Sequence, residues 1–196
     1  MLVNWYKLDG NGEDSCGKGP VTNEGSYSEF NGEVISNNAR RIFFTPMDGD
    51  FTITAEIYRR NMVADWCVDM SLLESFGWGT SDGGTGCIWY HPSGGNLIIN
   101  LGTSQKYITS IIQQWYTAQI SREGDELSCY INGILIHTAN YKLPTIRQVH
   151  FFNAGSYQTG GGYVKNVKIY NRATICNYHN LFNNGTAIYG TKKGAE

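Results

Sequence analysis

The sequence predicts an all-β fold in which two antiparallel sheets pack face to face as a sandwich. Short runs of alternating apolar and polar residues recur along the chain, and each has the length of a strand. Glycine makes up 24 of the 196 residues, and aromatic residues make up 13%. Tight turns between aromatic-rich strands explain both enrichments. Helical periodicity is confined to one short segment near the C-terminus, so alternating β-α units are not expected.

Eight segments have the pattern of strands. Residues 51–58 and 163–170 alternate with a period of two, as expected for strands with one buried face. The other six segments are 87–90, 97–101, 115–120, 127–131, 134–137 and 149–152. Their number and the turn residues between them are typical of a single β-sandwich domain.

One turn can be predicted in detail. Asn132 and Gly133 lie between the strand segments 127–131 and 134–137. A two-residue hairpin turn of type I′ needs a positive φ at both central residues, and Asn-Gly is a pair that adopts it readily. The sequence therefore predicts a hairpin centred on these two residues.

The one helical segment spans residues 174–183. Thr174 can cap its first turn, and Gly185 lies just beyond its end. The apolar residues that fall on one helical face are Ile175, Tyr178, Leu181 and Phe182. We therefore expect a β-sandwich domain over residues 1–183 with one short C-terminal helix, followed by a flexible tail over residues 184–196.

Composition and charge argue against several classes of partner. The formal net charge is −2 and no basic stripe occurs, whereas nucleic-acid binding needs clustered cations. No apolar stretch is long enough to span a membrane, and the N-terminus lacks the pattern of a signal peptide. If Met1 is the natural start, we expect that the protein is not secreted on its own. It would then act on an extracellular surface as part of an assembled particle such as a virion.

Five cysteines are spread along the chain, and no C-x-x-C motif occurs. An odd number leaves at least one of them unpaired within the chain. We interpret them mainly as buried thiols that act as small apolar side chains. One or two disulfides in an extracellular particle are the alternative.

Several segments, in order along the chain, resemble one family of domains. Residues 114–122, QWYTAQISR, are similar to the family pattern kWhhvavtr, and residues 127–133, LSCYING, are similar to l-x-l-Y-v-N-G. Residues 162–173, GYVKNVKIYNRA, are similar to G-x-i-d-d-v-r-i-Y-n-r-a. Earlier strands and turns of the family are matched by residues 2–10, 14–17, 30–32 and 50–55. The chain thus resembles the laminin G-like (pentraxin-like) jelly-roll domains of the concanavalin A-like lectin/glucanase superfamily.

The resemblance implies a concanavalin A-like jelly roll and leaves the function open. The family includes lectins, adhesion modules, non-catalytic modules of glycan-active enzymes and modules of phage particles. Many relatives also hold a structural Ca²⁺ near a Phe-Asp-Gly turn and an acid on the last strand. Here those places hold Asn31 and Lys165-Asn166. Ca²⁺ prefers several charged oxygen ligands, so this replacement argues against calcium, and Asn31 and Asn166 are the metal ligands that would remain.

Catalytic motifs of this superfamily are incomplete in the sequence. Glucanases of this fold carry carboxylates on one strand face, as E-x-D-x-E, so that one acts as acid and another as nucleophile. Asp65 and Asp69 would share a strand face, but Cys67 stands between them. We interpret both as solvent-facing or capping carboxylates and expect no catalytic residues. A glycan-degrading enzyme such as a polysaccharide lyase is the alternative, because residues 148–150 and 152–157 faintly resemble two alginate-lyase motifs.

Two glycine-rich loops form the predicted ligand surface. Residues 76–86 carry Trp78 and Asp82, and residues 155–162 carry Tyr157 and Gln158. Aromatic faces that stack on sugar rings, together with amides and carboxylates, are the groups that such a site needs. The predicted partner is therefore a glycan or host-surface polysaccharide. The alternative is that Trp78 and Tyr157 plug the ends of the sandwich.

The sequence thus predicts a non-catalytic binding or adhesion module, with a phage capsid decoration or tail protein as the expected setting. A structural virion protein that contacts other virion proteins and binds no sugar is the alternative. Trp115 belongs to the best-matched strand segment, and the family resemblance implies that it anchors the core and is not a ligand platform.

Overall fold

The computed structural model describes residues 1–8, 14–17, 33–35, 40–59, 67–72, 86–91, 95–109, 111–154 and 161–173. Within these ranges the regular structure is entirely β-strand, with no helix. The strands found there are β1 (Leu2–Tyr6), β2 (Glu33–Ile35), β3 (Arg40–Met47), β4 (Phe51–Arg59), β5 (Cys67–Ser71), β6 (Cys87–His91), β7 (Asn96–Leu101), β8 (Ser104–Thr109), β9 (Trp115–Glu123), β10 (Glu126–Ile131), β11 (Ile134–Asn140), β12 (Ile146–Ala154) and β13 (Gly161–Tyr170). The predicted helix at 174–183 and the predicted tail lie outside the described residues.

The strands form two antiparallel sheets. A seven-stranded sheet has the order β1-β13-β4-β9-β10-β11, and β2 also pairs with β13. A six-stranded sheet has the order β3-β12-β5-β6-β7-β8. The all-β prediction of a two-sheet antiparallel sandwich is confirmed.

All eight segments predicted as strands lie in strands. Of the five other described strands, β1 lies in the segment 2–10 that resembles a family strand, and β2, β3, β5 and β8 were missed. Strands β3, β5 and β8 have sequences that break the usual strand pattern. Pro46 lies within β3, Asp69 lies within β5, and β8 is a mostly exposed edge strand with the sequence SQKYIT. Proline and aspartate are depleted in strands, and an edge strand needs no buried face.

The main apolar core lies between the two sheets. Strand β4 turns Phe51, Ile53, Ala55 and Ile57 inward, and none of these is more than 1% exposed. Residues of the six-stranded sheet in the same core include Met70, Ile88, Leu97 and Ile99. Full burial of one such aliphatic or aromatic side chain stabilises the fold by about 1.5–3 kcal/mol. The period of two in residues 51–58 thus identifies the face that packs in the main core, whereas on the other face Thr52 and Thr54 are also buried and only Glu56 and Tyr58 are partly exposed.

The prediction that Trp115 anchors the core is wrong. Strand β9 turns Tyr116, Ala118 and Ile120 inward, with at most 1% exposure, and Trp115 lies half-buried on the opposite face. The alternation in this segment did not decide which of its two faces is buried, because both faces contain apolar residues. The family resemblance favoured burial of the face that carries Trp115, whereas the structure buries the face that carries Tyr116.

The predicted hairpin at Asn132-Gly133 joins β10 to β11. Both residues have positive φ, 51° and 76°, as a type I′ turn requires. The side-chain oxygen of Asn132 also accepts a hydrogen bond of 2.8 Å from the backbone N–H of Thr117 on β9. This turn residue therefore also ties the hairpin to the centre of the sheet.

A buried ion pair joins the two sheets near the end of β4. Arg59 of β4 contacts Asp69 of β5, and both side chains are fully buried. The hydroxyl group of Tyr116 donates a hydrogen bond of 2.5 Å to the second oxygen of Asp69. The interpretation of Asp69 as a solvent-facing or capping carboxylate is wrong, because this carboxylate is enclosed and charge-paired. Asp65 lies outside the described residues.

Two of the described cysteines agree with the interpretation as buried apolar thiols. Cys129 has a free thiol in the core, and Cys87 is fully buried on β6. Burial raises the pKa of both thiols far above the usual range, because it disfavours the thiolate. In the part of the chain that the structure describes, no helix is long and apolar enough to cross a membrane.

Candidate functional site on the outer face of the seven-stranded sheet

Three aromatic side chains lie together on the side of the seven-stranded sheet that faces away from the core. Tyr163 of β13 pairs with Tyr58 of β4, and Tyr58 pairs with Trp115 of β9, so the three residues form one row across the sheet. Their neighbours along the strands are core residues, namely Ile57, Tyr116 and Val164. Since successive side chains alternate between faces, the row of three points outward.

The three rings contact one another without stacking in parallel. The ring centroids of Tyr58 and Trp115 are 5.6 Å apart, and those of Tyr58 and Tyr163 are 5.7 Å apart. The planes are inclined by 53° and 60°. The Tyr58–Trp115 pair is tilted and the Tyr58–Tyr163 pair is edge-to-face, and both centroid distances lie in the favourable range for aromatic pairs. Each of the three residues remains partly exposed.

A β-bulge in β13 brings polar groups next to this row. Between Lys165 and Lys168 the strand has one residue more than the facing segment of β4, and Asn166 has a φ of +51°. Asparagine tolerates this left-handed conformation better than most residues do. An extra residue disturbs the alternation locally. Lys165 and Asn166 therefore both reach Glu56 on the outer face.

Glu56 is the acidic group among these polar side chains. Its carboxylate accepts a hydrogen bond of 2.9 Å from the side-chain amide of Asn166, and it lies 3.6 Å from the ammonium group of Lys165. The same ammonium group lies 4.2 Å from the ring centroid of Trp115, a cation–π distance. Lys165 thus connects the acid of the bulge to the aromatic row.

A second tryptophan follows at the other end of the bulge. The indole N–H of Trp5 on β1 donates a hydrogen bond of 3.4 Å to the side-chain oxygen of Asn166. The ammonium groups of Lys7 and Lys168 each lie 5.1 Å from the centre of the Trp5 ring. The nine residues Trp5, Lys7, Glu56, Tyr58, Trp115, Tyr163, Lys165, Asn166 and Lys168 form a continuous band, which we call the outer-face strip.

The strand register gives the dimensions of the outer-face strip. Trp5 and Trp115 lie three strands apart in the order β1-β13-β4-β9, which is about 14 Å across the sheet. Trp5 pairs with Lys168, which pairs with Thr54, four residues from Tyr58 in β4. This offset is about 13 Å along the strands. The strip is therefore longer than one sugar ring and has an aromatic ring at each end.

A glycine permits the close packing beneath the aromatic row. Gly162 precedes Tyr163 in β13, and a Cβ atom built on it would collide with the carbonyl oxygen of Tyr58. The same atom would lie 2.5 Å from the ring of Phe152, which is fully buried on β12. Glycine is thus required by the close approach of β4, β12 and β13 at this point.

The loop residues predicted to bind the ligand, Trp78, Asp82, Tyr157 and Gln158, all lie outside the described residues. The strands that flank them are described. Ala154 directly precedes the predicted loop at 155–162 and pairs with Cys67 at the start of β5, whereas Leu72, the last described residue before the predicted loop at 76–86, lies just beyond the end of β5. Cys67 and Leu72 are about 16 Å apart along the strand direction. The loop with Tyr157 leads directly into Gly161 and the aromatic row, so it borders the outer-face strip along the chain.

Of the two residues named as possible calcium ligands, only Asn166 is described. Its side-chain oxygen accepts from Trp5 and its amide donates to Glu56, so its polar groups bind protein partners in the strip. Asn31 lies outside the described residues, so the expectation that the replaced acids disfavour calcium stays a prediction. Among the residues that the structure describes, no group of three or more His, Cys, Asp or Glu side chains could hold a metal ion.

Sequence reasoning missed the outer-face strip, although one signal for it is present. In each of the three central strands an aromatic residue alternates with a core residue: Tyr58 follows Ile57, Trp115 precedes Tyr116, and Tyr163 precedes Val164. Each of the three strands thus carries a large aromatic residue on the face opposite the main core, where a polar residue would suffice. Their coincidence in one row depends on register, which the sequence does not reveal.

No known family matches the sequence of this chain, and no curated protein does. Solved structures with a similar fold include a mutant of Trypanosoma rangeli sialidase with trans-sialidase activity, at a TM-score of 0.61 and 16% identity. T. rangeli sialidase in complex with sialic acid gives 0.60 and 15%. In both cases the match covers 88% of this chain and 31% of the sialidase chain. The binding domain of botulinum neurotoxin DC in complex with SialylT gives a TM-score of 0.48 and 16% identity, over 69% of this chain and 36% of that one.

The sialidase likeness establishes the fold class alone. This chain spans about a third of the length of the sialidases, so it corresponds to one portion of a larger protein there. The two-sheet structure is an all-β sandwich compatible with a jelly roll. The assignment to the laminin G-like domains stays a prediction.

Proposed function

We propose that this protein is a non-catalytic binding module and that its ligand is a glycan bound on the outer-face strip. The row of Tyr58, Trp115 and Tyr163 is the observation that carries the proposal. These rings lie on the face of the sheet opposite the main core, and they remain partly exposed although Thr54 and Gln119 on the same face are buried. Aromatic groups placed there add less to the core than they would inside the sandwich, and they suit ligand binding.

The groups of the outer-face strip match the chemistry of a sugar. Sugar rings have apolar C–H faces that stack on tryptophan and tyrosine, and hydroxyl groups that need hydrogen-bond partners. Glu56 supplies acceptors, and Lys165 supplies donors, directly beside Trp115. Both are already held in place by their contacts, so less side-chain freedom is lost when a ligand binds.

A binding role is also favoured by the position of Asp69. Of the two acids considered for catalysis, Asp69 is enclosed by Arg59 and Tyr116 between the sheets. A carboxylate so placed cannot reach a polysaccharide on the surface. The outer-face strip offers Glu56 without a second carboxylate in contact with it among its nine residues, whereas glycosidic hydrolysis commonly uses two.

The setting that we propose is an extracellular surface or a virion, as a capsid decoration or tail protein. Stacking and a few hydrogen bonds at one site give weak affinity, and display of many copies raises avidity by about 10²–10⁴ when several sites bind together. The loops with Trp78 and Tyr157 are the second candidate surface, because the latter loop leads into the aromatic row. A structural role without any sugar ligand is the rival outcome.

A glycan array tests this proposal directly. The wild type, Trp115→Ala and Trp78→Ala are displayed multivalently and compared with Tyr107→Ala, whose exposed ring lies on β8 of the other sheet. We expect that the wild type and the Tyr107 variant bind the same glycans and that Trp115→Ala loses binding while remaining folded.

Each other result has a definite meaning. Undiminished binding by Trp115→Ala would show that the outer-face strip does not bind the glycan. Loss of binding in Trp78→Ala alone would assign the site to the loop. Absence of binding by every folded variant would favour the purely structural role.

A further inference from the structure

We infer that the outer-face strip selects acidic saccharides, meaning glycans that carry carboxylate or sulfate groups, over neutral ones. The inference rests on the proposed function and assigns a ligand class to the same site. Each of the two tryptophans in the strip has ammonium groups against its ring: Lys165 at Trp115, and Lys7 and Lys168 at Trp5.

The strip is more positive than the chain as a whole. Among its nine residues three are lysines and one, Glu56, is an acid, although the formal net charge of the protein is −2. The positive groups are concentrated at the end of the strip where Lys7 and Lys168 flank Trp5.

The two ends of the strip repeat one arrangement, an aromatic ring beside an ammonium group. An acidic sugar residue has the complementary arrangement, with an apolar ring face next to a carboxylate or a sulfate. One such residue can stack on the ring while its anionic group binds the lysine beside it. Because the ends lie about 14 Å apart across the sheet and about 13 Å apart along it, an oligosaccharide with repeated acidic residues can use both.

Discrimination against neutral sugars follows from the position of Lys165. Its ammonium group lies against the Trp115 ring and 3.6 Å from Glu56, and its side chain is 41% exposed. A sugar that stacks on this ring displaces the ammonium group from the ring. A neutral sugar offers no charged replacement for the lost contact, whereas an acidic sugar forms an ion pair with the displaced group. The same displacement therefore penalises neutral ligands more than acidic ones.

Matched polysaccharide pairs test the inference because they differ only in charge. The probes are oligogalacturonate against its methyl ester, and dextran sulfate oligosaccharide against the unsulfated dextran oligosaccharide. We expect that the multivalently displayed protein binds at least one acidic member about tenfold more tightly than its neutral counterpart, the factor of one charged hydrogen bond. Raising the salt from about 0.01 M to about 0.15 M shortens the Debye length from about 30 to about 8 Å, so the preference should shrink.

Charge-removing variants locate the preference. Lys165→Gln and Lys168→Gln keep most of each side-chain stem, and each should reduce the affinity for the acidic probe by about tenfold. Neither should lower the affinity for the neutral probe, because no ammonium group is then displaced from the Trp115 or Trp5 ring when a sugar stacks on it. Lys106→Gln, on the edge strand β8 of the other sheet, is the matched control and should bind as the wild type does.

The outcomes separate this inference from the proposed function. If a neutral glycan binds as tightly as its acidic partner in both pairs, the acidic preference is wrong and glycan binding stands. If acidic probes bind but the two lysine variants bind them normally, the preference belongs to another surface and the inference is overturned. If no glycan of either kind binds the folded protein, both proposals fail.

Discussion

At the scale of single residues, Asp69 is a buried charge that forms an ion pair between the two sheets. It is fully buried, it contacts Arg59 from the opposite sheet, and Tyr116 donates to its other oxygen. Removal of two charges from water is costly, and the attraction between them offsets that cost only when both partners are present. The pair therefore makes the two sheets depend on each other at this end of the sandwich.

The substitution Asp69→Asn should lower the free energy of unfolding by about 3–5 kcal/mol, because it leaves the Arg59 guanidinium buried without its counter-charge. Urea denaturation measures this loss. The double variant Arg59→Met, Asp69→Leu is the control, and it should regain most of the stability because neither charge remains. A single variant as stable as the wild type would show that the ion pair does not hold the sheets together.

Trp115 and its neighbour Tyr116 have opposite roles, which two alanine variants distinguish. Tyr116→Ala should cost about 3–5 kcal/mol, as is usual for a large aromatic residue removed from a core. Trp115→Ala should cost only about 1–2 kcal/mol, because the ring is half-buried and its contacts are Tyr58, Tyr163 and Lys165. Thermal and urea unfolding give both values. A larger loss of stability in Trp115→Ala than in Tyr116→Ala would show instead that Trp115 anchors the core.

At the scale of elements, β13 is the strand on which the site depends most. Its bulge at Asn166 and its glycine at 162 lie on either side of Tyr163 and Lys165, so each irregularity of the strand adjoins a residue of the outer-face strip. The bulge gives Lys165 and Asn166 access to Glu56, and the glycine permits close approach of β4. Irregular positions in a strand commonly lie where side chains need to be redirected.

Gly162→Ala should destabilise the protein by about 1–3 kcal/mol, the usual cost of an added methyl group in a filled space. The new Cβ would press on the Tyr58 carbonyl and the Phe152 ring, so Tyr58 and its contact with Trp115 should shift as well. Urea unfolding and the tryptophan fluorescence spectrum measure the two effects. Gly49→Ala is the control, because a Cβ there meets no atom within 4 Å. Equal stability of the two variants would contradict the close packing at Gly162.

At the scale of the whole molecule, more of the fold than of the candidate site could be predicted from the sequence. Alternation in residues 51–58 and the Asn132-Gly133 turn are local signals, and local signals are enough for a sandwich of short strands. Strands β3, β5 and β8 were not predicted from the sequence, because Pro46, Asp69 and a polar edge segment break the local pattern of alternation. β3 and β5 pair with β12, which is distant in sequence, whereas β8 pairs with β7 across a tight turn.

The site depends on information that is not local. Tyr58, Trp115 and Tyr163 become neighbours only through the register of three strands that are separate in sequence. The alternation of β9 allowed either face to be the buried one, and the choice depends on which face meets the other sheet. Asp69 was interpreted as solvent-facing because nothing near it in sequence indicates Arg59 as its partner.

Binding of a glycan to the outer face of the seven-stranded sheet, as proposed, is tested most directly by two-dimensional NMR. The ¹⁵N-labelled protein is titrated with oligogalacturonate, or with the strongest glycan from the array. We expect shifts of the indole N–H signals of Trp5 and Trp115 and of backbone amides in β4, β9 and β13. Signals of β7 and β8, in the other sheet, serve as the internal control and should stay in place. Shifts confined to the six-stranded sheet, or to residues beside Leu72 and Gly86, would contradict the proposal.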